Sequence, residues 1–371
     1  MLSLVGSQIL TSLKNSSLQA MAVEYLADFV YYDGAKIAKL AQEIESNARD
    51  SLHTASDITQ TLILANDMSI ATRLAKWSNP YKDVMYAQAL KSLRLADSSN
   101  TLPPAYLARY DYDNNLWLNV FGGANIIGGK SGGVYGLSAG YDAKIGQSTL
   151  LGGYLSYAWA QIQGSSLTQN AQNLQAWLYT RSTIGRSEVD MSVRYQAGLI
   201  DQKSMGSEAE YMSSFVGAKV EYGYVFGKGS VFFKPLVGVN VYYLYTPQYT
   251  QRGGVATSVE ARSDVNVSVS VGGDVRKYFG NGSFIYILPK IEQYVMSGDK
   301  LYTASFVGSD TSFIIAGDGG LKTYGSVLVG GDIALREFLS FSIGAGVKQS
   351  LAGTDTSVTY LSGNLGVKYR F

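Results

Sequence analysis

A chain of 371 residues with 16% charged side chains, 46% hydrophobic ones and a net charge of +1 carries no electrostatic signature of a nucleic-acid or acidic-substrate binder. It has no cysteine, which excludes disulfides and thiolate chemistry, while glycine (41) and tyrosine (28) run high, as suits strands with close backbone approach and interfacial aromatics. No stretch approaches the roughly 18 consecutive apolar residues of a transmembrane helix, so any membrane span must be built from strands.

The first 109 residues read as helical. Residues 1–20 lack the basic start and compact apolar core of a signal peptide, so an exported protein of this sequence is expected to be a fragment or to have lost its leader. Leu18, Met21, Ala22, Tyr25, Leu26, Phe29 and Val30 form one stripe, and Ile37, Leu40, Ile44 and Leu52 resume it after Asp33-Gly34. That pattern predicts a helical hairpin over 1–55, either a small packing module or a membrane-active, partner-binding helix. Ser56-Asp57 reads as an N-cap for a second helix through Leu62, Met68 and Leu74 to Trp77, stopped by Asn79-Pro80. Its polar residues surround the wheel, and about 20 helical residues span roughly 30 Å, the height of a membrane barrel. It is therefore a candidate pore helix within a helical linker over 56–109, and a third helical piece at 84–96 competes for the same place.

From Asn115 onward the period changes to two. Val189, Met191, Val193, Tyr195, Ala197 and Leu199 alternate with polar neighbours, as do Val265, Val267, Val269 and Val271. Pro235 interrupts a similar run and predicts a local irregularity there. Twelve runs follow: 115–126, 133–145, 149–163, 171–185, 187–201, 211–226, 229–245, 259–279, 283–296, 321–336, 338–349 and 357–371. An even count, with short breaks alternating with longer polar ones at 202–210, 246–258, 297–320 and 350–356, predicts an all-β membrane barrel over 110–371. The barrel is expected to be twelve-stranded, antiparallel and transmembrane. Tyr224, Phe226, Tyr243, Tyr245, Phe279, Tyr369 and Phe371 lie near strand ends, where interfacial belts form.

The chain's last strand puts Leu361, Gly363, Leu365, Val367, Tyr369 and Phe371 on one face, with Ser362, Asn364, Gly366, Lys368 and Arg370 on the other. The spacing Asn364, Gly366, Tyr369, Phe371 resembles the C-terminal assembly signal of bacterial outer-membrane barrels. Together with Leu116-Trp117-Leu118-Asn119-Val120-Phe121-Gly122-Gly123 and Phe233-Lys234-Pro235-Leu236, the layout over 57–371 resembles the translocator domain of type V secretion autotransporters. Met68-Ser-Ile-Ala-Thr-Arg73-Leu74-Ala, followed by Ser78-Asn79-Pro80-Tyr81, is similar to the vacuolating-cytotoxin group from Helicobacter. The resemblance implies a monomeric outer-membrane protein that exports and anchors its own N-terminal passenger, with a helix in the lumen. Outer-membrane lipid and the barrel assembly machinery are the other implied partners. Residues 1–55 carry no β-helical repeat and are expected to be the last remnant of such a passenger, a small secreted peptide or a linker.

Chemistry is sparse. The single histidine, His53, lies in the helical part, and no metal-ligand spacing, cofactor motif or nucleotide loop is present. Gly152-Gly153, Gly272-Gly273 and Gly330-Gly331 sit inside strands and read as backbone contacts. No enzymatic activity is expected. Energy for transport would come from passenger folding and the assembly machinery.

Alternation turns Arg194, Lys219, Glu221, Lys234, Arg276, Lys290, Glu292, Lys348, Lys368 and Arg370 toward the lumen. They are expected to pair with one another or with the helix, or else to tune an anion-selective pore. Asn66-Asp67 is a candidate site of passenger cleavage by asparagine cyclisation, with Glu221 or Glu292 as base. A porin-like or adhesin barrel with a helical accessory domain is the alternative to the translocator, and an outer-membrane enzyme is a further rival.

Overall fold

The computed structural model describes residues 34–77 and 114–371, apart from short gaps in connecting segments of the latter. The stripe at 18–30 and the helical piece at 84–96 lie outside the described residues.

Twelve long strands form the wall. They are β1 (Asn114–Ile127), β2 (Lys130–Ile145), β3 (Thr149–Gln163), β4 (Leu167–Ile184), β5 (Ser187–Ser204) and β6 (Ser207–Tyr224). The second half comprises β7 (Val231–Thr246), β8 (Arg262–Tyr278), β9 (Phe284–Ser297), β10 (Thr323–Ala334), β11 (Leu339–Ala352) and β12 (Val358–Arg370). Each pairs antiparallel with the next, and β12 returns to β1 in a register running from Asn115 opposite Arg370 to Ile127 opposite Val358. The amide of Asn114 donates to the Phe371 carbonyl (3.2 Å) and the amide of Phe371 donates to the Asn114 carbonyl (3.1 Å). The sheet thus has no open edge along its wall, the condition for a sheet in hydrocarbon.

Alternation fixes the two faces. Leu116, Leu118 and Val120 are exposed outward while Asn115, Trp117, Asn119 and Phe121 are buried inward. The same division splits β12, where Leu365, Val367, Tyr369 and Phe371 face out and Asn364, Lys368 and Arg370 face in. On β7, Pro235 has no amide to offer, and the ladder to β6 ends at Gly223 opposite Leu236. Pairing resumes in the short strand Phe226–Lys228, and the amide of Val225 between them donates instead to the Arg186 carbonyl (2.8 Å).

The chain termini of the barrel lie at the same end as the hairpins at 146–148, 185–186 and 335–338. In the tightest of these, Gly185 takes the left-handed φ of 62° that a two-residue turn requires. The opposite end carries the long connections 247–261 and 298–322. One expected long loop, 202–210, is instead a tight hairpin in which β5 and β6 run on to Ser204 and Ser207. The reason is that its polar residues keep the period of two, and Lys203 pairs across the hairpin with Glu208 at 2.8 Å. Its polarity marks the height at which the wall leaves the apolar layer, beyond outward Leu199 and Met212.

Among the described residues one helix, α1 (Gly34–Trp77), threads the barrel. It runs unbroken through Ser56-Asp57, so the expected N-cap there, and with it a structural break between residues 55 and 56, is absent. The Asp57 carboxylate accepts from the Tyr360 hydroxyl on β12 (2.7 Å), engaging the wall rather than a helix start. At 1.5 Å per residue its 44 residues extend about 66 Å, roughly twice the height of the hydrocarbon layer. The surplus is wrapped by a second, four-stranded sheet made from the long loops: Tyr249–Thr250, Thr257–Val259, Leu301–Phe306 and Ser312–Ala316. Ile44, Ala48, Ile58 and Leu62 of α1 pack there with Tyr302, Phe306, Phe313 and Ile315 in one buried cluster.

Close packing of the wall gives a direct test. A Cβ on Gly136 would lie 2.5 Å from the Tyr157 carbonyl oxygen and 2.6 Å from the Phe121 ring, so Gly136→Val must displace β3 or the ring. Overpacking of this kind costs about 1–3 kcal/mol. The midpoint of the heat-modifiable gel mobility of the purified barrel should fall accordingly, and an unchanged midpoint would contradict the packing described.

Candidate functional site: the plugged lumen

The lumen is filled by the polar half of α1, whose side chains meet the wall at every level. Near the loop end, Gln60 donates to the Tyr294 hydroxyl (3.2 Å) and accepts from Lys348 Nζ (3.0 Å), which also contacts Glu292 at 2.7 Å. Further down the helix, Asn66 Nδ2 donates to Gln175 Oε1 (2.8 Å) and to the Leu62 carbonyl (2.7 Å). Ser69 Oγ then accepts from two wall asparagines at the β1–β12 seam, Asn119 (3.1 Å) and Asn364 (3.0 Å). Thr72 lies 3.1 Å from the Tyr286 hydroxyl, and the Arg73 guanidinium sits over the Trp117 ring at 4.6 Å.

The last turn of the helix ends in cation and hydroxyl caps. Arg181 Nη1 donates to the Leu74 carbonyl (2.9 Å), and the Tyr278 hydroxyl donates to the Ala75 carbonyl. Carbonyls at a helix C-terminus lack intrahelical partners and carry partial negative charge, so a buried arginine there answers both needs. The order of these contacts gives α1 a direction. Its N-terminal half lies in the loop collar and its C-terminal end lies beside the short hairpins.

Besides the Lys348–Glu292 pair, charges form three groups. At the hairpin end Glu188 is buried among Arg181 (3.2 Å), Lys234 (2.9 Å) and Arg276 (3.3 Å), with Asp190 and Asp274 completing the set. Beside the chain's last strand, Asp332 holds Lys368 at 3.0 Å and Arg370 at 3.6 Å and accepts from Ser340. At mid-height Asp67 is the helix's contribution, 3.7 Å from Arg194 and 3.4 Å from Lys219. Lys219 continues to Glu221 at 2.9 Å, and Glu221 to Lys290. Arg194 also lies over the rings of Trp177 (4.8 Å) and Tyr242 (5.0 Å), a placement worth about 2 kcal/mol when desolvated. A cavity of ≈ 50 Å³ remains beside the helix here, lined among others by Asp67, Ala71, Lys219 and Lys290.

All ten charged residues singled out by alternation have their side chains inside the barrel. Arg181, Glu188, Asp190, Asp274 and Asp332 join them there, so the basic surplus is smaller than those ten imply. Asp190 and Asp274 stand in phase with Arg194 and Arg276 and were detectable by the same alternation. Asp332 follows Gly330-Gly331, where the pattern is blank.

The four residues of the terminal signal divide between faces. Tyr369 and Phe371 are exposed and join Phe338 in an outward ring cluster with centroids 5.7 and 5.9 Å apart. Asn364 meets α1, and Gly366 lies under the Asn119 side chain.

The Asn66 amide is hydrogen-bonded to neutral oxygens, while Glu221 is engaged by two lysines and Glu292 by Lys348 and Ser268. These partners make Asn66 an anchor of the helix, with neither carboxylate hydrogen-bonded to it. Outside the bilayer, burial pushes the Tyr249 and Tyr302 phenols of the collar up from their ordinary value, so both remain protonated donors at neutral pH.

Comparison with known proteins adds relatives to this geometry. The family model described as the vacuolating cytotoxin autotransporter VacA, C-terminal domain, matches residues 73–371. A vacuolating cytotoxin autotransporter of Helicobacter pylori is 26% identical over 349 residues, covering 86% of this chain and 26% of the relative. Another, from Helicobacter pylori strain J99, is 24% identical over 370 residues, covering 91% of this chain and 28% of the relative. The chain thus spans about a quarter of the length of these curated relatives.

Among solved structures, the translocator domain of autotransporter NalP from Neisseria meningitidis superposes with a TM-score of 0.56 at 14% identity, covering 78% of this chain and 96% of that one. The transport unit of the autotransporter AIDA-I from Escherichia coli gives 0.50 at 16% identity, covering 80% and 99%. At such identities the likeness is one of fold.

Asp67 offers the sharpest test of how α1 is held. Asp67→Asn removes the helix's charge from Arg194 and Lys219. A loss of about 1.5 kcal/mol, low in the range for hydrogen bonds to charged groups, should raise the frequency of open-lumen events about tenfold. Single-channel recording in planar bilayers reads this, and wild-type opening statistics in the variant would refute the assignment.

Proposed function

The chain belongs to the autotransporter family defined by the vacuolating cytotoxin C-terminal domain, and from this premise we propose that its barrel carries an N-terminal passenger across the outer membrane and keeps α1 behind as a plug. The barrel is an outer-membrane translocator domain, as its family and its twelve-stranded fold establish. The observation that carries the passenger reading is the direction of α1. The helix enters the lumen from the loop collar and descends to the short hairpins, which is the end where β1 begins. Polypeptide N-terminal to α1 therefore leaves on the loop side, which in single-chain outer-membrane barrels faces the exterior. A porin-like barrel with a periplasmic helical domain would instead leave its lumen open to solutes.

The reading supplies partners by chemistry. Outward Leu, Val and Ile side chains meet lipid. The exposed Tyr369 and Phe371 at the chain's end are the surface offered to the barrel assembly machinery, and the sealed wall is suited to a monomer. The wall performs no bond-making step in this scheme, and export is a transport event driven by folding outside. What the passenger does is a property of the remainder of such a protein.

An epitope placed before α1 tests the topology. In intact cells it should be cleaved by added protease while the barrel resists. Deleting Phe371 should lower the amount of folded barrel in the outer membrane and the surface signal together. An epitope protected until the outer membrane is permeabilised would overturn the reading.

A further inference from the structure

The outward face of β3 and β4 departs from the apolar belt that covers most of the wall; an outward amide on β9, Gln293, differs in donating to the Tyr294 and Lys322 carbonyls and accepting from Thr323. On β5 the outward residues remain apolar from Val189 to Leu199. On β4 the apolar stretch is shorter, Leu174 to Leu178, and is followed toward the loop end by exposed Gln172 and Asn170. Register places Gln172 directly between Trp159 on β3 and Leu199 on β5, so an amide stands at belt height between two apolar neighbours. Asn170 in turn stands beside Gln161, extending the amides one rung outward.

Rings border this notch. Tyr135 and Trp159 stack with centroids 5.4 Å apart and planes 17° apart, and Tyr157 meets Trp159 edge-on at 4.5 Å. The Tyr157 hydroxyl donates to Gln172 Oε1 at 2.7 Å, which fixes the amide and turns its NH₂ group along the wall. In a hydrocarbon layer an amide donor without an acceptor is costly, so this height must supply one.

We propose that this face is a docking site for the sugar headgroup of an outer-leaflet glycolipid, which lays a C–H face on Trp159 and Tyr135 and hydroxyls on Gln172, Asn170 and Gln161. The site's own side chains are neutral and its charged neighbours lean acidic, with Asp201 directly across from Asn170 on β5 and Glu210 beyond it, which disfavours a phosphate and favours a sugar. Tyr135, Tyr157, Trp159, Gln161, Asn170 and Gln172 carry no charge. The nearby Lys203 is on β5 and already holds Glu208 at 2.8 Å. Amides offer both donor and acceptor, matching the hydroxyl's own dual character, and aromatic faces suit the apolar side of a pyranose. The inference rests on residence in the outer membrane and is independent of the passenger reading.

The test uses the full chain in phosphatidylethanolamine–phosphatidylglycerol vesicles with and without rough-type lipopolysaccharide bearing core sugars. The readout is the midpoint of the folded-to-unfolded gel transition, with native mass spectrometry for retained glycolipid. Glycolipid should raise the wild-type midpoint. Gln172→Leu combined with Tyr157→Phe should abolish most of that rise and reduce retained glycolipid at least fivefold, with the midpoint in phospholipid alone unchanged or higher. Gln172→Leu by itself, outward and apolar, should insert normally and show a partial loss. A full rise in both variants would overturn the proposal. So would loss of the rise in Lys203→Gln with retention in the amide variants, since recognition would then be of phosphate.

Discussion

A sheet placed in hydrocarbon cannot leave an edge unpaired, because each free amide or carbonyl there forfeits a hydrogen bond that water would have supplied. The closing contact between Asn114–Ile127 and Val358–Arg370 is therefore the condition on which the rest of the molecule depends. It brings both ends of the barrel chain to one side, forces an even strand count in an antiparallel ring, and separates two solvents by the period of the strand alone. Lipid selects Leu, Val and Ile outside. Inside, the same backbone carries Asn115, Asn119, Arg194, Lys234 and Lys368, residues that would be intolerable one position along.

A charged interior creates a second demand. Buried charges are tolerated when paired and hydrogen-bonded, and the wall meets this with clusters centred on Glu188 and Asp332. At mid-height the wall brings Lys219 and Lys290 against Glu221, and Asp67 on α1 supplies a carboxylate to Arg194 and Lys219. Plug and wall are thus electrostatic complements at this level. The seam at Ser69 shows the same economy of design: Asn119 and Asn364, from the strands that close the ring, both donate to one hydroxyl of the helix.

Much of this was legible in the sequence because alternation between two solvents leaves a strong mark. The twelve runs match the twelve strands within a few residues at most ends, and the same phase assigns the inward charges. Three features were hidden, each for a physical reason. Ser56-Asp57 has the chemistry of a cap, yet Asp57 spends its carboxylate on Tyr360, a partner far away in sequence. The choice of lumen helix was open because a polar environment imposes no apolar stripe, so periodicity is silent about it. The loop collar was read as polar connection, although Tyr302, Ala304 and Phe306 alternate and Phe313 and Ile315 do as well. Those runs are too short to announce a sheet before α1 is there to cover them.

The chemistry of α1 is that of a segment able to be wet. Its polar grip on the wall runs through amides, hydroxyls, the Asp57 and Asp67 carboxylates and the Arg73 guanidinium, groups that water can satisfy whenever the wall does not. A purely apolar helix would bind a polar lumen poorly and would bury itself elsewhere when out of it. Apolar burial is added at both levels: Ile58 and Leu62 share a cluster with Phe306 and Ile315 of the collar, while inside the lumen Ile63, Leu64 and Met68 pack with Phe215, Leu236 and Leu328, and Ile70 and Leu74 with Trp117 and Trp177. Retention of the helix is consequently divided between two kinds of contact with opposite dependence on solvent. Salt weakens the charge contacts at Asp67 while it leaves or strengthens the apolar burial in the collar and the lumen. Release of the plug requires both to yield, and neither alone sets its stability.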